Sequence, residues 1–269
     1  MGWTDVLSGS VLVVSLLLSA SAISGCGEEN PRNSGPIPEG ASASPEGAQS
    51  DAIAARGDSP RGTEGGTQDE DASGEFGDSR DSRPAILFFG TSLTAGYGLD
   101  DRQDAFPAFI QEKVEAAGLD FRVVNAGVPG ETSAAGLRRI GWILDRTAVE
   151  FIVLELGAND GLRGQDPNAL RENLQAAIDS TRAHEPDATI VLAGMEAPPN
   201  LGPRYTEEFR RVFQEVSSRN DAILIPFLLD GVAGVPELNQ ADRIHPTEEG
   251  HRIIAENVWE ALQPLLASG

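Results

Sequence analysis

The 269-residue sequence has one cysteine, three histidines and one lysine. A single cysteine rules out an intramolecular disulfide and any zinc site built on several thiolates. Three histidines leave little for a His-rich metal cluster. Positive charge is also scarce. Twenty basic residues, all arginine except Lys113, face 42 acidic ones, and the net charge is -22. That balance argues against nucleic acid as a partner, because phosphate contacts need a surplus of Lys and Arg. The preference for arginine carries no mechanism by itself.

Large apolar residues are nearly missing from residues 27–83, where only Ile37, Ile53 and Phe76 occur among 23 Gly, Pro and Ser. Thirteen acids against five arginines give this stretch a charge of -8. It cannot bury enough apolar surface to offset its ordering entropy, so a disordered acidic tether is expected. Residues 6–23 are the opposite: Val, Leu, Ala and Ser dominate, with no charge after Asp5. This reads as a secretory signal, too short and too Ser-rich for a membrane span, although its first five residues lack Lys or Arg. Ile23-Ser24-Gly25-Cys26 resembles the lipobox of bacterial lipoproteins. That resemblance makes Cys26 the lipidation site and implies an exported chain, anchored to the cell envelope on its periplasmic side or at the cell surface. The acyl chains carried by one such cysteine suffice for stable anchoring. An ordinary cleaved signal beside a stray cysteine, and an uncleaved anchor, are the alternatives.

Residues 84–269 are enough for one domain with a substantial core. Short apolar runs at 85–89, 121–124, 151–156, 189–193 and 222–225 read as buried strands. Helical patterns lie between and after them, at 105–117, 133–145, 167–184, 206–219 and 247–266. Asp166 with Pro167, and Thr247 followed by two glutamates, look like helix starts. Strands alternating with helices imply an α/β fold whose parallel sheet is covered on both faces. Ligands of such sheets bind at the carboxyl ends of the strands, so chemistry is sought just after each run.

Four segments satisfy that condition. After the first strand come Gly90-Thr91-Ser92-Leu93-Thr94-Ala95-Gly96-Tyr97, where a tight turn would expose the Ser92 hydroxyl. It is not the G-x-S-x-G elbow, since Thr94 stands where the last glycine belongs. After the second come Val128-Pro129-Gly130-Glu131, with glycine permitting an N–H aimed into the crevice. After the third come Asn159-Asp160-Gly161-Leu162-Arg163-Gly164, whose Asn amide could donate to an oxyanion. Before the last helix come Asp242-Arg243-Ile244-His245, an acid three residues ahead of an imidazole it could orient. Taken singly, these read as a helix cap, two turns and an incomplete metal site. His184 and His251, in polar helical contexts, read as surface residues.

Taken together, in order and spacing, the four blocks resemble the SGNH hydrolases, also called GDSL-type lipases and esterases. The likeness is greatest to the branch of acyl-CoA thioesterase I, lysophospholipase L1 and arylesterases, and it spans 84–269. It implies a three-layer α/β/α sandwich on a five-stranded parallel sheet, flavodoxin-like in topology. It further implies a catalytic triad of Ser92, His245 and Asp242, with Ser92, Gly130 and Asn159 as the oxyanion hole. The loop after the fourth strand falls where thioesterase I-like members line the acyl pocket, pointing to Pro198, Asn200 and Leu201. An ester, thioester or lysophospholipid substrate, a monomeric domain, and no metal or cofactor are expected. Thr91 departs from the family's Gly-Asp-Ser-Leu block, where Asp precedes the serine. A carbohydrate O-deacetylase and a non-catalytic binding module on the same fold are the alternatives.

Overall fold

A computed structural model describes residues 81–267. The expected signal, Cys26 and most of the tether lie outside the described residues. The element order is β1 (Ala85–Gly90), α1 (Ser92–Ala95), α2 (Phe106–Ala116), β2 (Arg122–Gly127), α3 (Ser133–Leu144), β3 (Val149–Glu155), α4 (Ala158–Leu162), α5 (Pro167–His184), β4 (Thr189–Ala193), α6 (Pro203–Arg219), β5 (Ile223–Ile225) and α7 (Glu248–Leu266). Every strand and long helix expected from the sequence is present, with ends shifted by three residues at most. The short helices α1 and α4 were not foreseen.

All five strands run parallel in the order β2-β1-β3-β4-β5. The central strands carry the most apolar sequences. All six residues of β1 are fully buried or nearly so, as are six of seven in β3, which is what two helix-covered faces demand. Helix α2 packs with α7, while α5 packs with both α3 and α6, giving the two outer layers. Caps fix several helix starts. The Asp166 side chain accepts from Asn168 N ahead of Pro167, and Thr247 Oγ1 accepts from Gly250 N at 3.3 Å.

Arg83, assigned above to the tether, donates to the Phe121 carbonyl at 3.2 Å, and Arg122 donates back to the Arg83 carbonyl at 3.1 Å. Arg83 lies just ahead of β1 and Phe121 just ahead of β2, so their carbonyls find side-chain partners that composition alone does not reveal.

In this strand order the chain turns from one side of the sheet to the other between β1 and β3. Sheets of this kind place their ligand crevice at such a reversal, outside the strand ends. Ser92 follows β1 by two residues, Gly130 follows β2 by three and Asn159 follows β3 by four. Since β1 is hydrogen-bonded to both β2 and β3, the topology alone delivers the three segments to one edge.

Candidate active site

The Ser92 turn is built around a buried acid. Glu155, the last residue of β3, has no solvent exposure. Its carboxylate accepts from Thr91 N at 2.7 Å, Thr94 N at 3.2 Å, Thr91 Oγ1 at 3.0 Å and Thr94 Oγ1 at 2.9 Å. Burial pushes its pKa up, and the four donors oppose that shift. Thr91 therefore acts as a donor in the place where the family resemblance leads one to expect a second acid. Gly90 is required for the same reason. A Cβ there would lie 2.0 Å from Thr94 Oγ1 and 2.5 Å from Glu155 Oε2. The result is a pinned turn that leaves the Ser92 side chain at the sheet edge, 9% exposed.

His245 reaches Ser92 from the far end of the chain. Its Nε2 lies 3.0 Å from Ser92 Oγ, and its Nδ1 lies 2.6 Å from Asp242 Oδ2. The other Asp242 oxygen accepts from Ile244 N and His245 N at 2.9 and 3.1 Å. The bond to the imidazole and then these two N–H groups hold the Asp242 carboxyl at about 2, so it is ionised throughout the neutral range. Arg243 within this turn has φ 59°, a left-handed conformation that non-glycine residues adopt at a cost. Gln240 fastens the loop across the site. Its Nε2 donates to the Tyr97 and Pro246 carbonyls at 2.8 and 2.9 Å. The Tyr97 ring lies 4.8 Å from the His245 ring, centre to centre.

The third group of residues supplies backbone and side-chain N–H donors. Neither the Ser92 nor the Gly130 N–H donates to another group among the described residues. Gly130 has φ 79°, which a side chain would strain, and the space a Cβ would fill is open. One N–H of the Asn159 side chain donates to the Glu131 carbonyl at 2.9 Å, leaving its second N–H available. Arg163 donates to the Gly130 carbonyl at 3.0 Å. Asp160, 2% exposed, anchors α4 by accepting from Ser133 N and Ser133 Oγ at 2.8 and 2.6 Å.

The loop after β4 makes a 3-10 turn, Pro199–Leu201, with Pro198 at its start and Asn200 exposed. Leu201 is 36% exposed and faces Gly164, whose Cβ would lie 3.5 Å from Leu201 Cδ2. The loop thus borders the segment that carries Asn159. Tyr97, Val128, Leu162 and Ile244 add exposed apolar surface on the other segments of this edge.

His184 is exposed, as expected. His251 is not: it is fully buried on α7, its Nδ1 accepting the Phe106 N–H at the start of α2 and its ring stacked at 6.1 Å on Phe106. The α2–α7 contact buries a helix face that looks polar in sequence. Glu155, Gln240 and the Glu131–Arg139 ion pair escaped the sequence reading. Only Glu155 left a signal there, as the one acid within the apolar run 151–156. Among the described residues no three His, Cys, Asp or Glu side chains converge as a metal-binding set, and no helix is long and apolar enough to cross a membrane.

Residues 88–253 match the GDSL-like Lipase/Acylhydrolase family. Esterase TesA of Pseudomonas aeruginosa is 43% identical over 181 residues, covering 67% of this chain and 89% of its own. Thioesterase 1/protease 1/lysophospholipase L1 of Escherichia coli K12 is 33% identical over 181 residues, covering 67% of this chain and 84% of its own. The crystal structure of TesA superposes with a TM-score of 0.64 at 42% identity, over 67% of this chain and 99% of that one. The psychrotrophic esterase EstA from Pseudoalteromonas sp. gives the same TM-score at 33% identity, over 68% of this chain and 98% of its own. A sheet of this order, a serine, histidine and aspartate in one hydrogen-bonded row, and relatives matched along nearly their whole length lead to one conclusion: the chain belongs to the GDSL-like lipase/acylhydrolase family.

Proposed function

We propose that the chain is a serine hydrolase of carboxylic esters or thioesters. The observation that carries this is the unbroken row from Ser92 Oγ through His245 to Asp242, with contacts of 3.0 and 2.6 Å. In this reading His245 Nε2 takes the hydroxyl proton as Ser92 Oγ attacks the acyl carbonyl. Ionised Asp242 keeps the proton of Nδ1 in place and stabilises the imidazolium. The tetrahedral oxyanion meets the free N–H groups of Ser92 and Gly130 and the second N–H of Asn159. The imidazolium returns its proton to the departing alcohol or thiol. Water, activated by the same ring, then releases the acyl group from Ser92.

The names of the matched relatives support the ester and thioester classes. Exposed Leu162 and Leu201 border the site and favour an apolar acyl chain over acetate, with Pro198 and Asn200 shaping the same wall. Lysophospholipids are one substrate type that meets this description. On this reading the domain works as a monomer, exported and held at the cell envelope by lipid on Cys26, beyond an acidic tether that ends near Arg83. Radiolabelled palmitate incorporated by the parent and absent from Cys26→Ala tests the anchor.

The decisive experiment is hydrolysis of p-nitrophenyl butyrate by the purified full chain. Ser92→Ala should lower kcat by at least about 10⁴-fold. A Ser92→Ala chain with the parent's turnover sinks the nucleophile assignment. A series from p-nitrophenyl acetate to dodecanoate reads the acyl preference directly.

A further inference from the structure

Arg139 stands on α3, outside the Ser92–His245–Asp242 row, and the hydrolysis above does not call on it. Its guanidinium nevertheless touches the segments that present the Ser92 and Gly130 donors, and Glu131 links it to the Asn159 donor. It stacks 4.2 Å over the Phe89 ring, and Nη2 donates to the Gly90 carbonyl at 3.3 Å, two residues before Ser92. Nε and the same Nη2 donate to one Glu131 oxygen at 3.1 and 2.8 Å. Glu131 follows Gly130 directly, and its own carbonyl holds the Asn159 amide at 2.9 Å.

Gly130 needs such support. Nothing would touch a Cβ there, so no contact on that side holds the residue; its carbonyl is held by Arg163 at 3.0 Å. The orientation of that peptide rests on its neighbours. Arg139 and Glu131 are 18% and 16% exposed in their side chains, where a forked guanidinium–carboxylate contact is more directional than on an open surface. Arg139 Nη1 is buried and has no hydrogen-bond partner among the described residues.

We infer that Arg139 and Glu131 are positioning residues that align the Ser92, Gly130 and Asn159 donors for the transition state. This rests on the hydrolase reading above. It also distinguishes the pair from an ordinary ion pair: its loss should raise the barrier and leave substrate binding nearly intact.

The test is steady-state hydrolysis of p-nitrophenyl butyrate by the full chain, with thermal unfolding recorded alongside. Arg139→Gln and Glu131→Gln should each lower kcat by about 10- to 100-fold, below the roughly 10²–10³ for outright loss of a donor, with KM within about threefold. Arg139→Lys keeps the charge without the fork and should recover part of the rate. In an Asn159→Ala background, where only the Ser92 and Gly130 donors remain to be misaligned, the same changes should cost measurably less than in the parent. Equal losses in both backgrounds, or a kcat within twofold of the parent for Arg139→Gln and Glu131→Gln, would overturn the proposal. Should Arg139→Gln fail to fold, the near-isosteric Glu131→Gln decides alone. A parent chain without esterase activity would overturn the hydrolase reading and this inference together, whereas an active parent with indifferent variants overturns this inference only.

Discussion

Two residues show how the chain manages charge that it has taken out of water. Glu155 is enclosed completely, and Thr91 and Thr94 surround its carboxylate with four donors and no second acid. Thr91→Asp would set a second carboxyl against it, and two carboxyls at contact distance hold one proton between them. The folded state would then bind more protons than the unfolded state at neutral pH. Stability should fall as pH rises from 5 to 8, by about 1.4 kcal/mol for each unit by which the shared proton's pKa is raised. Thermal unfolding of Thr91→Asp and parent across that range checks it; a parallel pair of curves refutes it. His251 has the opposite sign. Burial holds it down at about 4, from 6.5, so the folded chain keeps it neutral while the unfolded chain protonates first. Its contribution is complete above about pH 6.5 and is lost as pH falls towards 4, on the order of 3 kcal/mol. His251→Gln, which still offers an acceptor to the Phe106 N–H, should flatten the acid side of the stability profile. Neither behaviour was legible in the sequence. A histidine between polar helix neighbours gives no sign of which helix will cover it.

At the level of elements, the strands and long helices could be read because their patterns are long enough to repeat. β1 and β3 are nearly unbroken apolar runs, and α5 and α7 announce themselves with caps. The helices that carry Ser92 and Asn159 could not. Four and five residues make little more than one turn, with no periodicity to detect. Their places are set by tertiary hydrogen bonds. For α4 the tie is Asp160 to Ser133, and Asp160→Ala leaves two buried donors unpaired at about 1–3 kcal/mol each. Thermal unfolding should move down accordingly. If Asp160 also serves Asn159, kcat for p-nitrophenyl butyrate should fall at temperatures well below the transition. A drop in stability with unchanged kcat would show that α4 holds its place without this tie. The site blocks themselves were legible as residue types at strand ends. Their mutual contacts were not, because Ser92 and His245 meet across 153 positions.

For the whole molecule, the excess of acid is the dominant long-range property. Residues 84–269 carry -13 of the total -22. An anionic ester approaches against that field, and a neutral one does not feel it. kcat/KM for an anionic ester should therefore rise with ionic strength from about 0.01 to 0.15 M, as the screening length shrinks from roughly 30 to 8 Å. The value for a neutral ester of equal acyl length should stay flat. Identical salt responses for the two would mean that the site's own cations, Arg163 and Arg243 among them, outweigh the distant acids. Charge of this kind is fully present in the composition; its arrangement around the site is a product of the fold.

The clasp that Gln240 makes on the Tyr97 carbonyl also has a meaning in time. A growing polypeptide releases its nucleophile early and its base last. Until the segment around Gln240 and His245 has arrived and closed on the first turn, Ser92 is an ordinary alcohol. Hydrolytic power is thus withheld from any copy in which that segment has not yet been made and docked.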